Sequence, residues 1–405
     1  MTQGAPPDGS SGARVASARL PRTVVALGAV SFLTDVSSEM IYPLLPAFLV
    51  GTLGATPAMI GLIEGVAEAT SAFLKLASGA LADRMPRKKP LILLGYSLAS
   101  IARPLVALAQ APWHVLSLRF VDRIGKGLRT SPRDALIADS ASDKDRGRAF
   151  GFHRAMDHAG ALVGPLIAFL CIAGLGLGTR SVIALAAIPA ALALVVLIAF
   201  VRETARPVVP APVAPLRARP SPLALGVLGV IGLFTLARAS DLFLLLAARA
   251  AGVAELHLPL LWALLHLVRS SLATPLGGLS DRVGRPRLIV LGWLVHAGVF
   301  VGLAFASAPI HAWALFTVYG VHAAATEGAQ QALVADLAPR DARGRAFGWF
   351  HLVVGLAAFP AAAGFGALWE HHSRATAFLV AAALAAFAAL LLAALSRRLE
   401  RTRIT

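Results

Sequence analysis

Twelve stretches of this chain are long and apolar enough to cross a bilayer, and few folds accommodate that pattern. A spanning helix needs roughly 20 mostly apolar residues. Runs bounded by charged or Pro/Gly-rich breaks lie near 23–50, 58–82, 91–110, 114–139, 149–172, 180–201, 223–248, 258–280, 288–308, 311–338, 346–368 and 375–396. The fourth is the most polar, because DRIGKGLRTSPRDALIAD in its second half must face protein or water rather than lipid. With 57% hydrophobic and 14% charged residues and a mean hydropathy of +0.74, the chain has too little polar surface for a water-soluble globule and too much apolar surface for intrinsic disorder.

The formal net charge of +16 invites a nucleic-acid partner, but the position of the charges removes it. Of 37 Lys and Arg residues, 24 lie in the two tails and the even-numbered loops, and only Arg180 and Arg374 lie in the opposite set. Positive residues stay on the cytoplasmic side, so both termini are expected there, in an inner-membrane protein embedded in lipid. Residues 1–22 are expected to be a disordered tail. No cleavable signal is expected, since the first apolar run is too long for a signal core and no small-residue cleavage site follows it. The lone cysteine, Cys171, sits in FLCIAGLG and reads as an inert buried thiol.

The sequence RGRAFG occurs at 146–151 and again at 343–348. The match extends backwards, with Ala135, Leu136, Ala138 and Asp139 repeated as Ala332, Leu333, Ala335 and Asp336. GALADRMPRKK from Gly79 recurs as GGLSDRVGRPR from Gly277. Two repeats of like orientation imply two six-helix bundles, 23–201 and 223–396. A Pro/Arg-rich cytoplasmic linker, 202–222, joins them, and a cytoplasmic tail, 397–405, follows.

These motifs resemble the major facilitator superfamily along essentially the whole chain from residue 23. GALADRMPRKK and GGLSDRVGRPR resemble the family's loop between the second and third helices of each half, although Pro86 replaces the usual glycine in the first copy. LSLRFVDRIGKG resembles the family's fourth-helix pattern at Arg119, Gly125 and Gly127, with Asp122 and Arg123 departing from it. GALVGP, with Gly160, Gly164 and Pro165, resembles the Gly-x-x-x-Gly-Pro motif associated with the family's antiporters, without its trailing glycine pair. The resemblance implies an all-α membrane fold of twelve helices. It also implies a cytoplasmic gate of salt bridges, carried over to Asp83, Arg84, Arg87, Asp281, Arg282 and Arg285, with Asp139 and Asp336 joining it. The plainer reading of the same residues is a charged turn that stops a helix.

Fifteen charges fall inside the helices of the N-terminal half, seven acidic and eight basic. Asp35, Glu39 and Tyr42 share one face of the first helix, and Glu64, Glu68, Ser71 and Lys75 share one face of the second. Arg119, Asp122, Arg123, Lys126, Thr130 and Arg133 form a stripe on the fourth, with Arg129 beside it, and the fifth adds His153, Arg154, Asp157 and His158. A single lipid-facing charge at mid-bilayer costs roughly 3 kcal/mol on insertion scales, so fifteen must pair around a wet interior. The C-terminal half is quieter, with Arg238, Asp241, Arg249, His266, Arg269 and Glu327.

No phosphate-binding loop, metalloenzyme motif or segment long enough for a soluble catalytic domain is present, so neither a resident cofactor nor a metal is expected. The expected function is secondary active transport of a small molecule by alternating access, by a protein acting as a monomer, with protons as the coupling ion. Proton exchange is placed on Asp35 and Glu39, with Glu68 opposite and the fourth-helix arginines competing. His158 is a further coupling candidate. The glycine-proline motif favours export, whereas the arginine stripe favours uptake or exchange of an anionic solute. Transport of a metal ion or chelate is a third reading.

Overall fold

A computed structural model describes residues 20–82, 84–142, 145–203, 221–338 and 343–404, with no strand among them. Most of the tail 1–22, most of the linker 202–222 and the gate candidate Asp83 lie outside the described residues.

Twelve membrane-length helices follow in order: α1 Arg22–Thr52, α2 Pro57–Ala82, α3 Lys89–Leu108, α4 Pro112–Ser140, α5 Arg146–Ala173 and α6 Thr179–Phe200. The second set is α7 Pro222–Ala250, α8 Glu255–Val283, α9 Arg285–Phe305, α10 Pro309–Asp336, α11 Arg343–His371 and α12 Arg374–Ile404. Ten of these have both the length and the apolarity of a membrane span. The exceptions, α4 and α10, are 29 and 28 residues long and occupy equivalent places in the two repeats. Proline at N1 or N2 opens several helices, where its missing N–H would lack an intrahelical partner in any case.

The repeat in sequence is a repeat in packing. In the first half α1 packs on α5 and α6, α4 on α2 and α3, and α3 on α6. In the second α7 packs on α11 and α12, α10 on α8 and α9, and α9 on α12. The halves meet along two equivalent seams, α2 with α11 and α5 with α8. Glycines set the first seam. A Cβ on Gly65 would lie 3.0 Å from the Phe359 carbonyl, and one on Gly355 would lie 2.5 Å from the Ala72 Cβ.

Two helices are interrupted at mid-depth. In α1, Pro43 and Pro46 turn the last third into 3-10 and π segments, because proline removes an N–H and crowds the preceding turn. In α7 the helix stops at Ala237, Arg238 is extended (φ −86°, ψ 104°), and a second helix starts at Asp241 under a Ser240 N-cap. Residues 42–47 near the end of α1 pack against 241–250 of α7, whereas 22–41 and 222–237 make no interface of that extent. The halves are therefore closed at the end away from the charged loops and parted towards those loops.

Candidate functional site

The site is assembled by close helix approaches that only glycine permits. A Cβ on Gly160 of α5 would lie 2.5 Å from the Phe32 carbonyl and 2.9 Å from the Asp35 Cβ. One on Gly164 would lie 2.7 Å from the Val36 carbonyl and 3.0 Å from the Glu39 Cβ. The Gly-x-x-x-Gly motif thus presses α5 onto the two turns of α1 that carry Asp35 and Glu39. On the other side of the bundle Gly95 and Gly125 bring α3 against α4, where a Gly95 Cβ would lie 2.8 Å from the Arg129 Cβ.

Most of the expected charges meet in a buried network. Arg103 donates from Nε to Asp122 at 2.8 Å and from Nη1 to the Thr34 carbonyl at 2.9 Å. Arg119 pairs with Glu64, and Arg123 lies 3.4 Å from Glu68 and 3.6 Å from Asp122. Glu64 also accepts from Ser240 across the interface at 2.9 Å and from Tyr42 at 3.3 Å. Paired, charge-assisted bonds of this kind are what allow ions to be held away from water. Arg133 turns instead to its neighbour Asp134 at 2.8 Å, and Asp157 accepts from Ser31 at 2.5 Å with His153 at 3.6 Å.

The C-terminal half reaches the same centre. Trp262 donates its indole N–H to Glu39 at 2.8 Å, with His266 at 3.9 Å from the same carboxylate. Arg269 binds Glu327 at 2.5 Å, and Tyr319 donates to Asp241 at 3.2 Å. Asp35, Glu39, Glu68, Arg119, Asp122, Arg123, Lys126, Arg129, Asp241 and Arg269 line a cavity of about 240 Å³ between the halves. A second cavity of about 190 Å³ adjoins it at Glu64, Glu68, Arg238 and Asp241. A third of about 480 Å³ extends past Arg154, His158, Arg269 and Glu327 to Gln331 and His351. His351 lies eight residues into α11, about 12 Å from its loop end at ~1.5 Å per residue. The polar space therefore runs from mid-depth towards the charged loops. Arg133 and Asp157 line none of these three cavities.

At the loop face the two repeats differ. In the second, Arg285 bridges Asp336 at 3.2 Å and Asp281 at 3.4 Å, while Arg282 is exposed. In the first, Asp139 is met by Lys88 at 2.8 Å, and Arg84 and Arg87 are exposed without an ion pair among the described residues. The physical reason is Pro86. Its repeat partner Gly284 has φ +94°, a conformation closed to proline, so α9 starts at Arg285 whereas α3 starts only at Lys89. The longer turn hands the bridge from Arg87 to Lys88, whose backbone N–H and that of Lys89 are each bound by Glu203 at 2.7 Å.

Sequence reasoning left out Trp262, Ser240 and Glu370. Trp262 lies one helical turn before His266 and two before Arg269, a phase readable from spacing alone. Ser240 followed by Asp241 is an N-cap with an acid in the first turn, the signal of a helix start inside the seventh apolar run. Glu370, at the end of α11, accepts from the Ala58 N–H at 2.9 Å and ties the halves at the closed end; nothing in its local sequence marks it.

Residues 27–362 and, in a second overlapping match, 260–405 fit the sequence profile of the Major Facilitator Superfamily. The uncharacterized MFS-type transporter MJ1317 of Methanocaldococcus jannaschii is 34% identical over 386 residues, covering 92% of this chain and 94% of that protein. The multidrug resistance protein MdtH of Photorhabdus laumondii is 30% identical over 146 residues, 34% of this chain and 36% of that protein. Among solved structures, a bacterial homologue of the human lysosomal transporter Spinster, inward-facing and occupied, superposes with a TM-score of 0.74 at 17% identity, covering 92% of this chain and 96% of that one. A POT family transporter in complex with 5-aminolevulinic acid gives a TM-score of 0.78 at 15% identity, covering 93% and 96%. Two six-helix repeats around a charged central cavity, and these matches along the chain, establish that this multi-pass membrane protein belongs to the Major Facilitator Superfamily of secondary transporters.

Proposed function

We propose that this transporter exports a small molecule in exchange for protons. The observation that carries the reading is the seating of Gly160 and Gly164 on the Asp35 and Glu39 turns of α1. The motif that resembles that of antiporters is thereby part of the carboxylate site itself. The MdtH relatives, named for multidrug resistance, support the same direction. The Lys and Arg distribution supports a cytoplasmic side for the charged loops and both termini, and on that orientation the cavity opens inward.

A proton arriving from outside neutralises Asp35 or Glu39, and inward opening lets it leave as substrate enters. Rocking of the halves then carries the substrate out. Glu39 makes its bond to Trp262 across the halves, so its protonation state bears directly on how they sit together. Glu370 with the start of α2 holds the outward side shut across the halves, while Lys88 with Asp139 and Arg285 with Asp336 brace the loop end within each half.

In everted vesicles acidified inside by respiration and offered a cytosolic extract, a mass-spectrometric screen should find a solute accumulated only with the protein present and lost with a protonophore. Asp35→Asn and Glu39→Gln should abolish that accumulation. Accumulation indifferent to the gradient in wild type and both variants would defeat proton coupling, and accumulation only in right-side-out vesicles would defeat export. A second reading, uptake or exchange of an anionic solute, is favoured by the cations Lys126 and Arg129 in the cavity wall.

A further inference from the structure

We infer that the cavity between the halves binds a small zwitterion, its anionic end on Lys126 and Arg129 and its ammonium end on Asp35. This names the substrate class for the transport reading above and shares with it the Asp35 carboxylate.

The bases lining this cavity fall into two groups. Arg103, Arg119 and Arg123 each have a carboxylate partner. Lys126 and Arg129 line the same cavity, yet among the described residues no carboxylate oxygen lies within 4.0 Å of either head group. Arg129 is only 5% exposed, and its Nε and Nη1 have no hydrogen-bond partner. Its guanidinium stacks 4.3 Å over the Tyr96 ring, and its backbone is fixed by the Gly95 approach, so the side chain is held rather than free to turn away. A buried donor left unbonded is unfavourable, and a bound carboxylate or phosphonate would relieve it by a charge-assisted hydrogen bond.

Asp35 presents the opposite sign under the same condition. It lines this cavity and has no base within 4.0 Å among the described residues. The charged or titratable groups around it are Glu39 on its own helix, Lys126 and Arg129 on α4, Asp157 on α5, and His266 and Arg269 across the cavity on α8. A simple anion would satisfy the α4 cations and leave Asp35 facing a like charge. A simple cation would do the reverse. A molecule carrying both ends satisfies both walls and adds no net charge to a low-dielectric site, where unbalanced charge is costly. The cavity volume of about 240 Å³ leaves room for a small molecule that reaches both walls. Exchange follows from the same placement, since the ammonium and the proton compete for one carboxylate.

The test uses the purified full-length protein and thermal unfolding as a binding readout. The probes are ω-amino acids of two to six carbons, with n-alkylamines and n-alkyl carboxylates of the same lengths. At least one ω-amino acid should raise the unfolding temperature by several degrees at millimolar concentration, where its one-ended counterparts do not. Arg129→Gln should weaken that probe at least tenfold. Lys126→Gln, at a partly exposed position, makes the same test if the arginine variant does not purify as a single species. Asp35→Asn should remove the preference for the ω-amino acid over the plain carboxylate. Equal stabilisation by the carboxylate, equal stabilisation by the amine, or no shift with any probe overturns the inference. Binding is read without a gradient, so probe discrimination with gradient-independent flux defeats only the coupling reading, and proton-driven flux without discrimination defeats only this one.

Discussion

Replacing Gly160 or Gly164 by alanine tests whether the α1–α5 contact is as tight as it looks. The added Cβ atoms would meet the Phe32 and Val36 carbonyls at 2.5 and 2.7 Å, against about 3.4 Å for ordinary contact. The obstructing atoms are backbone, so α1 must move away by about 0.7–0.9 Å. Overpacking of this kind costs about 1–3 kcal/mol, but glycine to alanine inside a helix also gains about 1 kcal/mol from propensity. Gly151→Ala is the control that cancels the second effect, since it lies in the same helix and its Cβ would have no atom within 4 Å. If one six-helix half unfolds as a unit, 1–3 kcal/mol corresponds to about 2–12 °C. Fluorescence-detected size exclusion after heating should therefore show Gly160→Ala and Gly164→Ala melting at least 2 °C below Gly151→Ala. Proton-driven accumulation should fall as well, because the same displacement shifts the Glu39 turn from the position in which it accepts from Trp262 at 2.8 Å. Melting indistinguishable from the control would refute the geometry and the coupling argument built on it.

Four further outcomes follow from the contacts. Arg119→Met should destabilise the protein by about 3–5 kcal/mol by stranding Glu64, and adding Glu64→Leu should restore most of that, as measured by denaturant unfolding in detergent. Trp262→Phe should leave melting within about 3 °C of wild type yet cut proton-driven flux roughly tenfold, since a bond to a carboxylate is worth about 1.5–3 kcal/mol and this one links the halves. Glu370→Ala should raise maleimide labelling of Met59→Cys, in a Cys171→Ala background, by about twofold or more through loss of the cap on α2. Lys88→Ala and Arg285→Ala should each alter the labelling of a cysteine placed at the loop face, whereas Arg87→Ala should not.

How far the sequence could be read depended on whether a property was local. The spans were legible because a bilayer demands a fixed length of apolar helix, and the most polar of them, α4, could still be placed by its repeat partner α10. That Asp35, Glu39, Glu64 and Glu68 face inward could be read from helical phase and from the cost of charge in lipid. Their partners could not be read. Arg119 could have met any acid on α1 or α2, and Glu39 finds its donor 223 residues away on α8. Even where a repeat suggested an answer, one residue changed it. Pro86 in place of glycine moved the first-half bridge from Arg87 to Lys88.

The sequence by itself determined twelve spans, two homologous halves and a buried set of nearly balanced charges. Hydropathy and helical period act over one turn to one helix length, and a repeat preserves them. The tertiary structure alone decided which charges neutralise each other and which are left facing the cavity. That division depends on distances of a few ångströms between helices, set by glycines at the crossings. Arg123 has Glu68 at 3.4 Å and Asp122 at 3.6 Å, whereas Arg129, six residues further along the same helix, has no carboxylate within 4.0 Å among the described residues.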